Sequence, residues 1–213
     1  MTSSTHTLRR PADLVDAGLA APQRRADLEQ VAARYAVAIT PAMAALIDRG
    51  DPDDPIARQF VPDPAETEVL PDERADPIGD DVFSPVEGLV HRYSDRVLLK
   101  LVHVCAVYCR FCFRRDMIGP GKPRALSAKT LSAALAYIGQ HPEIWEVILS
   151  GGDPLVLSPR RLAAVMQRLR AIAHVKIVRV HTRVPAVDPA RITPALVRAL
   201  KASDKTIYVV LHV

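Results

Sequence analysis

What this sequence lacks narrows its chemistry first. No apolar run approaches the roughly 20 residues that a membrane-crossing helix needs, so no membrane partner is expected. The first residues, Met1 to Arg10, are polar and hold no apolar signal core, which leaves the cytoplasm as the expected location. Cysteine is scarce: there are 3, all between positions 105 and 112. An odd number packed that tightly is no disulfide framework, and in a reducing compartment it reads as metal ligation. Aromatic residues make up 5% of the chain, and no basic run carries interleaved aromatics, which argues against nucleic acid as a partner. Low-complexity tracts and fixed-period repeats are also missing.

What is present is ordinary globular material. The 213 residues are 49% hydrophobic and 24% charged, enough to bury a sizeable core. The net charge of +4 rests on arginine more than lysine and suits an anionic small molecule or a phosphate-bearing cofactor. Residues 1–50 read as a helical segment. Pro11 opens a helix to about Ala17, Leu28, Val31, Ala32 and Tyr35 recur at helical spacing, and Thr40 caps a helix with Pro41 at its first position. Residues 51–96 form a Pro/Asp-rich extended segment in which pairs such as Asp54-Pro55 and Asp63-Pro64 are expected to block helix. From Val97 onward strands and helices alternate. The expected strands are Val97 to Val102, Glu146 to Leu149, Lys176 to Val180 and Ile207 to Leu211. Between them lie helices from Ser127 to Gly139, Pro159 to Ile172 and Thr193 to Lys201. Such alternation implies βαβ units and an α/β fold whose parallel sheet is either open or part of a barrel. An open sheet would expose its last strand's edge, which invites pairing with another copy.

The three cysteines follow the first of these strands directly, where parallel α/β folds place their chemistry. Cys105, Cys109 and Cys112 lie four and three residues apart, so one loop can wrap three thiolates around a [4Fe–4S] cluster. Three thiolates leave one iron free for a chelating ligand. Two other readings stand beside this one. His103 could complete a Cys3His zinc site, although it lies only two residues from Cys105 and no second CxxC pair exists. The cysteines could also be structural.

Four motifs in order narrow the choice: His91-Arg92-Tyr93-Ser94-Asp95-Arg96, the cysteine loop through Arg114-Arg115, Ser150-Gly151-Gly152-Asp153-Pro154-Leu155, and His181-Thr182-Arg183-Val184-Pro185. Together they resemble the radical S-adenosylmethionine superfamily, and within it the lysine 2,3-aminomutase family. The Cys112-Phe113-Arg114-Arg115 form is similar to the branch that modifies elongation factor P with β-lysine. The resemblance runs from about Asp54 to the last residue.

The resemblance implies a radical-SAM barrel and a radical enzyme, an isomerase that moves the amino group of L-lysine from C2 to C3. It implies a [4Fe–4S] cluster on Cys105, Cys109 and Cys112, S-adenosylmethionine on its open iron, pyridoxal 5′-phosphate as second cofactor, and an electron donor such as flavodoxin or ferredoxin. It places Phe111 near the adenine and Ser150, Gly151, Gly152 and Asp153 against the methionyl group, with Asp153 pairing with its ammonium. His181 would line the same pocket. Arg92, Tyr93 and Arg96 match positions around the pyridoxal phosphate, and Arg114 matches the arginine that holds the substrate α-carboxylate. Paired, charge-assisted hydrogen bonds suit arginine to both anions. Taken by themselves, these residues would read as surface charges, a glycine turn and loop packing.

The family's barrel has about six βα units, and this chain carries about three and a half. Residues 97–213 are therefore expected to form a barrel truncated at its C-terminus. None of the 6 lysines stands in a context matching the family's pyridoxal lysine, so this chain alone is expected to be incomplete as an aminomutase. Other radical S-adenosylmethionine reactions without pyridoxal phosphate, and a non-catalytic iron–sulfur or zinc fragment, are the competing readings.

Overall fold

The computed structural model describes residues 5–213, and in it proline opens helices more often than it ends them. The start of the polar N-terminus, residues 1–4, lies outside the described residues. In space the chain forms two compact units. One comprises residues up to Pro77 together with Cys105–Lys122, the other Ile78–Val104 with Pro123–Val213.

The first unit holds α1 (Pro11–Asp16), α2 (Arg25–Arg34), α3 (Pro41–Leu46) and α4 (Pro55–Phe60). Three of these begin with proline at the first helical position, where its missing N–H costs nothing. This corrects one expectation. Within the Pro/Asp-rich segment, Asp54 accepts from the Ala57 N–H at 2.6 Å and caps α4, while Asp63 caps a short 3-10 turn, Pro64–Thr67. Asp-Pro is here a cap followed by a preset first turn, not a barrier to helix. The core gathers Leu14, Leu28, Val31 and Tyr35, each at most 1% exposed. A two-way backbone bridge ties Leu8 to Ile39.

The second unit is built on a sheet of five strands in sequential order. They are β1 (Leu89–Tyr93), β2 (Arg96–Val102), β3 (Glu146–Gly151), β4 (Ile177–Thr182) and β5 (Thr206–Leu211). β1 pairs antiparallel with β2; every later pairing is parallel. The parallel strands are joined by α5 (Ala128–Gln140), α6 (Pro159–Arg170), and the pair α7 (Val184–Val187) and α8 (Pro194–Leu200). This is a partial βα barrel of three βα units and a further strand, with a hairpin strand added in front. That added strand was not expected from the sequence: Arg92 and Tyr93 lie in β1, and Arg96 begins β2.

Strand alternation sorts the side chains onto two faces. Val97, Leu99, Val147, Leu149, Val178 and Val180 share one face and are all 0% exposed. The crossover helices bury matching stripes, such as Leu162, Val165, Met166 and Leu169 of α6. The opposite face is mixed: Arg96 and Lys100 on β2, Glu146 and Ser150 on β3, and Arg179 and His181 on β4 stand among Leu98, Ile148 and Ile177. β5 is mostly exposed, with Tyr208, Val209 and Leu211 between 45% and 53% accessible.

Candidate active site

The cysteine loop belongs to the first unit, and its backbone is hung on the helical scaffold of that unit. The Tyr108 N–H donates to the Ala38 carbonyl at 2.9 Å, and the Arg110 N–H to the Gln59 carbonyl at 2.8 Å. Arg110 is 6% exposed and makes the strongest tie. Its Nε and Nη2 donate to the two Glu66 oxygens at 2.8 and 2.6 Å, and its Nη1 donates to the Ala36 carbonyl at 2.8 Å. This paired fork is the arrangement in which arginine binds carboxylate best. Tyr108 is buried, its hydroxyl donates to the Arg115 carbonyl at 2.9 Å, and burial pushes its phenol pKa well up, so it stays protonated.

Cys105, Cys109 and Cys112 form no disulfide, and each is half-buried. The Cys112 N–H donates to the Cys109 carbonyl at 3.2 Å, a turn that brings two of them together. Cys105 and Cys112 both pack on the cluster of Val31, Tyr35, Ala38, Tyr108 and Ile118. Burial raises the Cys112 thiol pKa, and the neighbouring Cys109 pushes it the same way. Among the described residues, no three histidine, cysteine or acidic side chains stand converged around a metal position. The donor set nonetheless fits an iron–sulfur cluster in kind: three thiols outside any disulfide on one short loop. Gathering them would be work for a cluster on binding, because metal affinity and local folding are coupled. His103, the alternative zinc ligand, has Nδ1 at 3.0 Å from the Pro123 carbonyl.

Around the loop, Phe111 is 77% exposed. Arg114 lies over the Phe113 ring at 4.7 Å. Arg115 lies over the Tyr35 ring at 4.5 Å and reaches Glu73 at 3.5 Å. Tyr35, Glu73, Cys112, Phe113 and Arg115 line a cavity of about 620 Å³ within this unit.

In the second unit, the turn after β3 is pressed onto the end of β2. Gly151 has φ +113, and a Cβ there would overlap the Val102 carbonyl oxygen; a Cβ on Gly152 would overlap that of Val104. The Gly152 and Asp153 N–H groups donate to Val102 and Val104 carbonyls at 2.6 and 3.0 Å. The close approach expected of these glycines is thus toward the chain's own backbone, just before Cys105. Asp153 is 6% exposed and fully engaged. One oxygen accepts from the Leu155 N–H at 3.0 Å and the Thr182 hydroxyl at 2.7 Å; the other accepts from the Arg183 and Val184 N–H groups at 2.7 and 3.2 Å. A carboxylate has about four acceptor positions. The one expected to meet an ammonium therefore already clamps the end of β4. Ser150 is 7% exposed, and His181 is half-buried with its ring 6.1 Å from that of His212.

The three residues expected around a phosphate also lie in this unit. Tyr93 and Arg96 face each other in the hairpin register, and Tyr93 is 63% exposed. Arg96 forms a two-bond pair with Asp95 at 2.8 and 2.7 Å, which lowers the Asp95 pKa to about 2, and it approaches the buried Glu146 at 3.6 Å. Arg92 donates to the Ile78 carbonyl at 2.5 Å and lies 3.5 Å from Asp80. Arg110, Glu66 and Thr182 act as supports that spacing alone does not assign; Arg110 stands between two cysteines and Thr182 within the His181-Thr182-Arg183 motif, whereas Glu66 carries no local signal.

A family model described as the radical SAM superfamily matches residues 99–213. The chain is 45% identical over 165 residues to the L-lysine 2,3-aminomutase of Acetoanaerobium sticklandii, which covers 78% of this chain and 40% of that protein. It is 43% identical over 165 residues to the enzyme of the same name from Clostridium subterminale, covering 78% and 39% of the two chains. Against the Escherichia coli L-lysine 2,3-aminomutase it is 40% identical over 167 residues, 78% of this chain and 48% of that one. The matched stretch is thus less than half the length of each of these relatives.

Proposed function

Because the chain belongs to the radical SAM superfamily, we propose that it is the cluster- and adenosylmethionine-binding portion of an aminomutase that moves the amino group of L-lysine from C2 to C3. The observation that carries this reading is the set of three half-buried thiols, none in a disulfide, on one loop directly after the first parallel strand. Cys105, Cys109 and Cys112 would hold a [4Fe–4S] cluster, which would supply the electron for reductive cleavage of S-adenosylmethionine.

The residues of this chain do the rest by holding and orienting. Arg110, locked to Glu66, fixes the backbone between Cys109 and Cys112. Asp153 acts as a positioning residue: by clamping Thr182, Arg183 and Val184 it fixes the ends of β3 and β4, leaving Ser150 and the glycine backbone to face the methionyl group. Phe111 offers an exposed ring for adenine, and His181 lines the same ligand. Arg114, resting on Phe113, receives the substrate α-carboxylate. Tyr93 and Arg96, with Arg92, receive the phosphate of pyridoxal phosphate, which would carry the migrating nitrogen.

The test is reductive cleavage. Anaerobically reconstituted protein, reduced with dithionite in the presence of S-adenosylmethionine, is expected to release 5′-deoxyadenosine and methionine. A Cys109→Ala control is expected to release none. Equal release from the two proteins, or none from either once the cluster is loaded, contradicts the proposal.

A further inference from the structure

β2 reads Arg96-Val97-Leu98-Leu99-Lys100-Leu101-Val102, an apolar strand interrupted once, by Lys100. That lysine is 4% exposed, and among the described residues its ammonium has no hydrogen bond or ion pair. Its aliphatic stem is buried while its Nζ is not a fully buried atom, so the ammonium reaches the open face of the sheet and can meet an anion there. Its position narrows what that is. Lys100 lies opposite Ser150 on β3, and the pairing of Leu149 with Val180 carries the same row on to His181 of β4. The row sits near the C-terminal ends of the parallel strands, on the face away from the crossover helices, where βα folds bind ligands.

The acids at the two ends of β3 are already engaged. Glu146 is four residues down β3 from Ser150, about 13 Å away at strand rise, and is held by Arg96 and Arg179. The Asp153 carboxylate is filled by the donors described above. We infer that Lys100 is an anion-binding residue, with its ammonium and the neighbouring Ser150 hydroxyl receiving the carboxylate of an amino-acid-type ligand. The identity of that ligand rests on the reading above. The methionyl carboxylate of S-adenosylmethionine and the α-carboxylate of the substrate are its two sources.

The experiment measures binding by equilibrium dialysis to the reconstituted chain, its Lys100→Met variant and its Lys100→Arg variant. The ligands are two pairs: S-adenosylmethionine with its decarboxylated analogue, and L-lysine with cadaverine. Lys100→Met is expected to weaken at least one carboxylate-bearing ligand about tenfold or more. The matching decarboxylated ligand should bind as before, and Lys100→Arg should recover most of the loss. A loss confined to the first pair assigns the methionyl carboxylate; one confined to the second assigns the substrate's. Affinities equal within about twofold, or an equal loss with and without the carboxylate, overturn the inference. If the parent binds neither ligand, the proposed function fails by itself, and citrate then decides on Lys100. Citrate is expected to raise the parent's melting temperature over chloride of equal ionic strength but not that of Lys100→Met, and equal responses overturn the inference.

Discussion

The loop after β2 and the turn after β3 differ in how far they are built without a ligand. The β3 turn is finished: Asp153 has its acceptor positions filled, and two glycines lie flat against the end of β2. The cysteine loop is anchored at Tyr108 and Arg110, yet its three thiols are not gathered around a common point. One element is set by its own hydrogen bonds, and on the proposed function the other would be completed by the cluster it binds. This division is physically reasonable. Backbone donors aimed at a carboxylate are cheap to prearrange, whereas three thiolates held together without metal would repel one another.

The largest effects should come from the unfinished element. Replacing Cys105, Cys109 or Cys112 with alanine should abolish the visible absorbance of the reconstituted cluster while leaving the apo protein's melting temperature nearly unchanged. A loss of folding equal to the loss of cluster would break the comparison, because the thiols would then be structural.

The finished turn should respond in the opposite sense. Gly152→Ala forces a methyl group onto the Val104 carbonyl and should cost about 3 kcal/mol. Gly139→Ala, in α5 where nothing lies within 4 Å of the added carbon, should instead stabilise by about 0.5–1 kcal/mol. Thermal melts of the apo protein separate the two. Asp153→Ala strands four donors and should destabilise by about 2 kcal/mol, with a parallel loss in S-adenosylmethionine affinity of at least about tenfold. If affinity falls while the melt stays put, the carboxylate reads the ligand directly and the turn is less finished than its hydrogen bonds imply.

A smaller effect tests the anchor of the cysteine loop. Glu66→Gln removes the charged partner of Arg110 and should cost about 1–2 kcal/mol. It should also speed release of iron to a chelator severalfold with all three cysteines intact. An unchanged release rate would mean that the cluster alone orders its loop. The smallest effect lies apart from both elements. Asp13, near the start of α1, is lowered to about 2, first by its hydrogen bond to Arg10. A depressed carboxylate stabilises the fold above its unfolded pKa of about 3.9 and loses that contribution as pH falls toward about 2. Asp13→Asn should flatten acid unfolding in that window while leaving cluster loading at neutral pH untouched.

The two elements also differ in how legible they were. The parallel strands and their helices stand in the sequence because burial on one face writes a period of two or 3.6 into it. Thr193-Pro194 marks the start of α8 at the residue. The antiparallel β1 was missed because Leu89–Tyr93 has a bulge and half of it is exposed, which blurs the alternation. The helix at Pro55 was missed because proline density was read as a barrier when each aspartate before it was a cap. The three cysteines were plain from spacing alone. Their support was not, since Glu66 is 44 residues from Arg110 and the two meet only through the fold. The Asp153 motif was visible, but its partners Thr182, Arg183 and Val184 lie 29 to 31 residues on, and no local pattern marks which way a carboxylate turns.

The central claim is that Cys105, Cys109 and Cys112 close around a cluster with one open iron. Mössbauer spectroscopy of protein reconstituted with ⁵⁷Fe, before and after adding S-adenosylmethionine, tests it most directly. The account predicts about four irons per chain, with the signal of one iron shifting when the ligand is added and the other three unmoved. A single bound zinc with no iron, or a cluster whose four irons ignore S-adenosylmethionine, would contradict it.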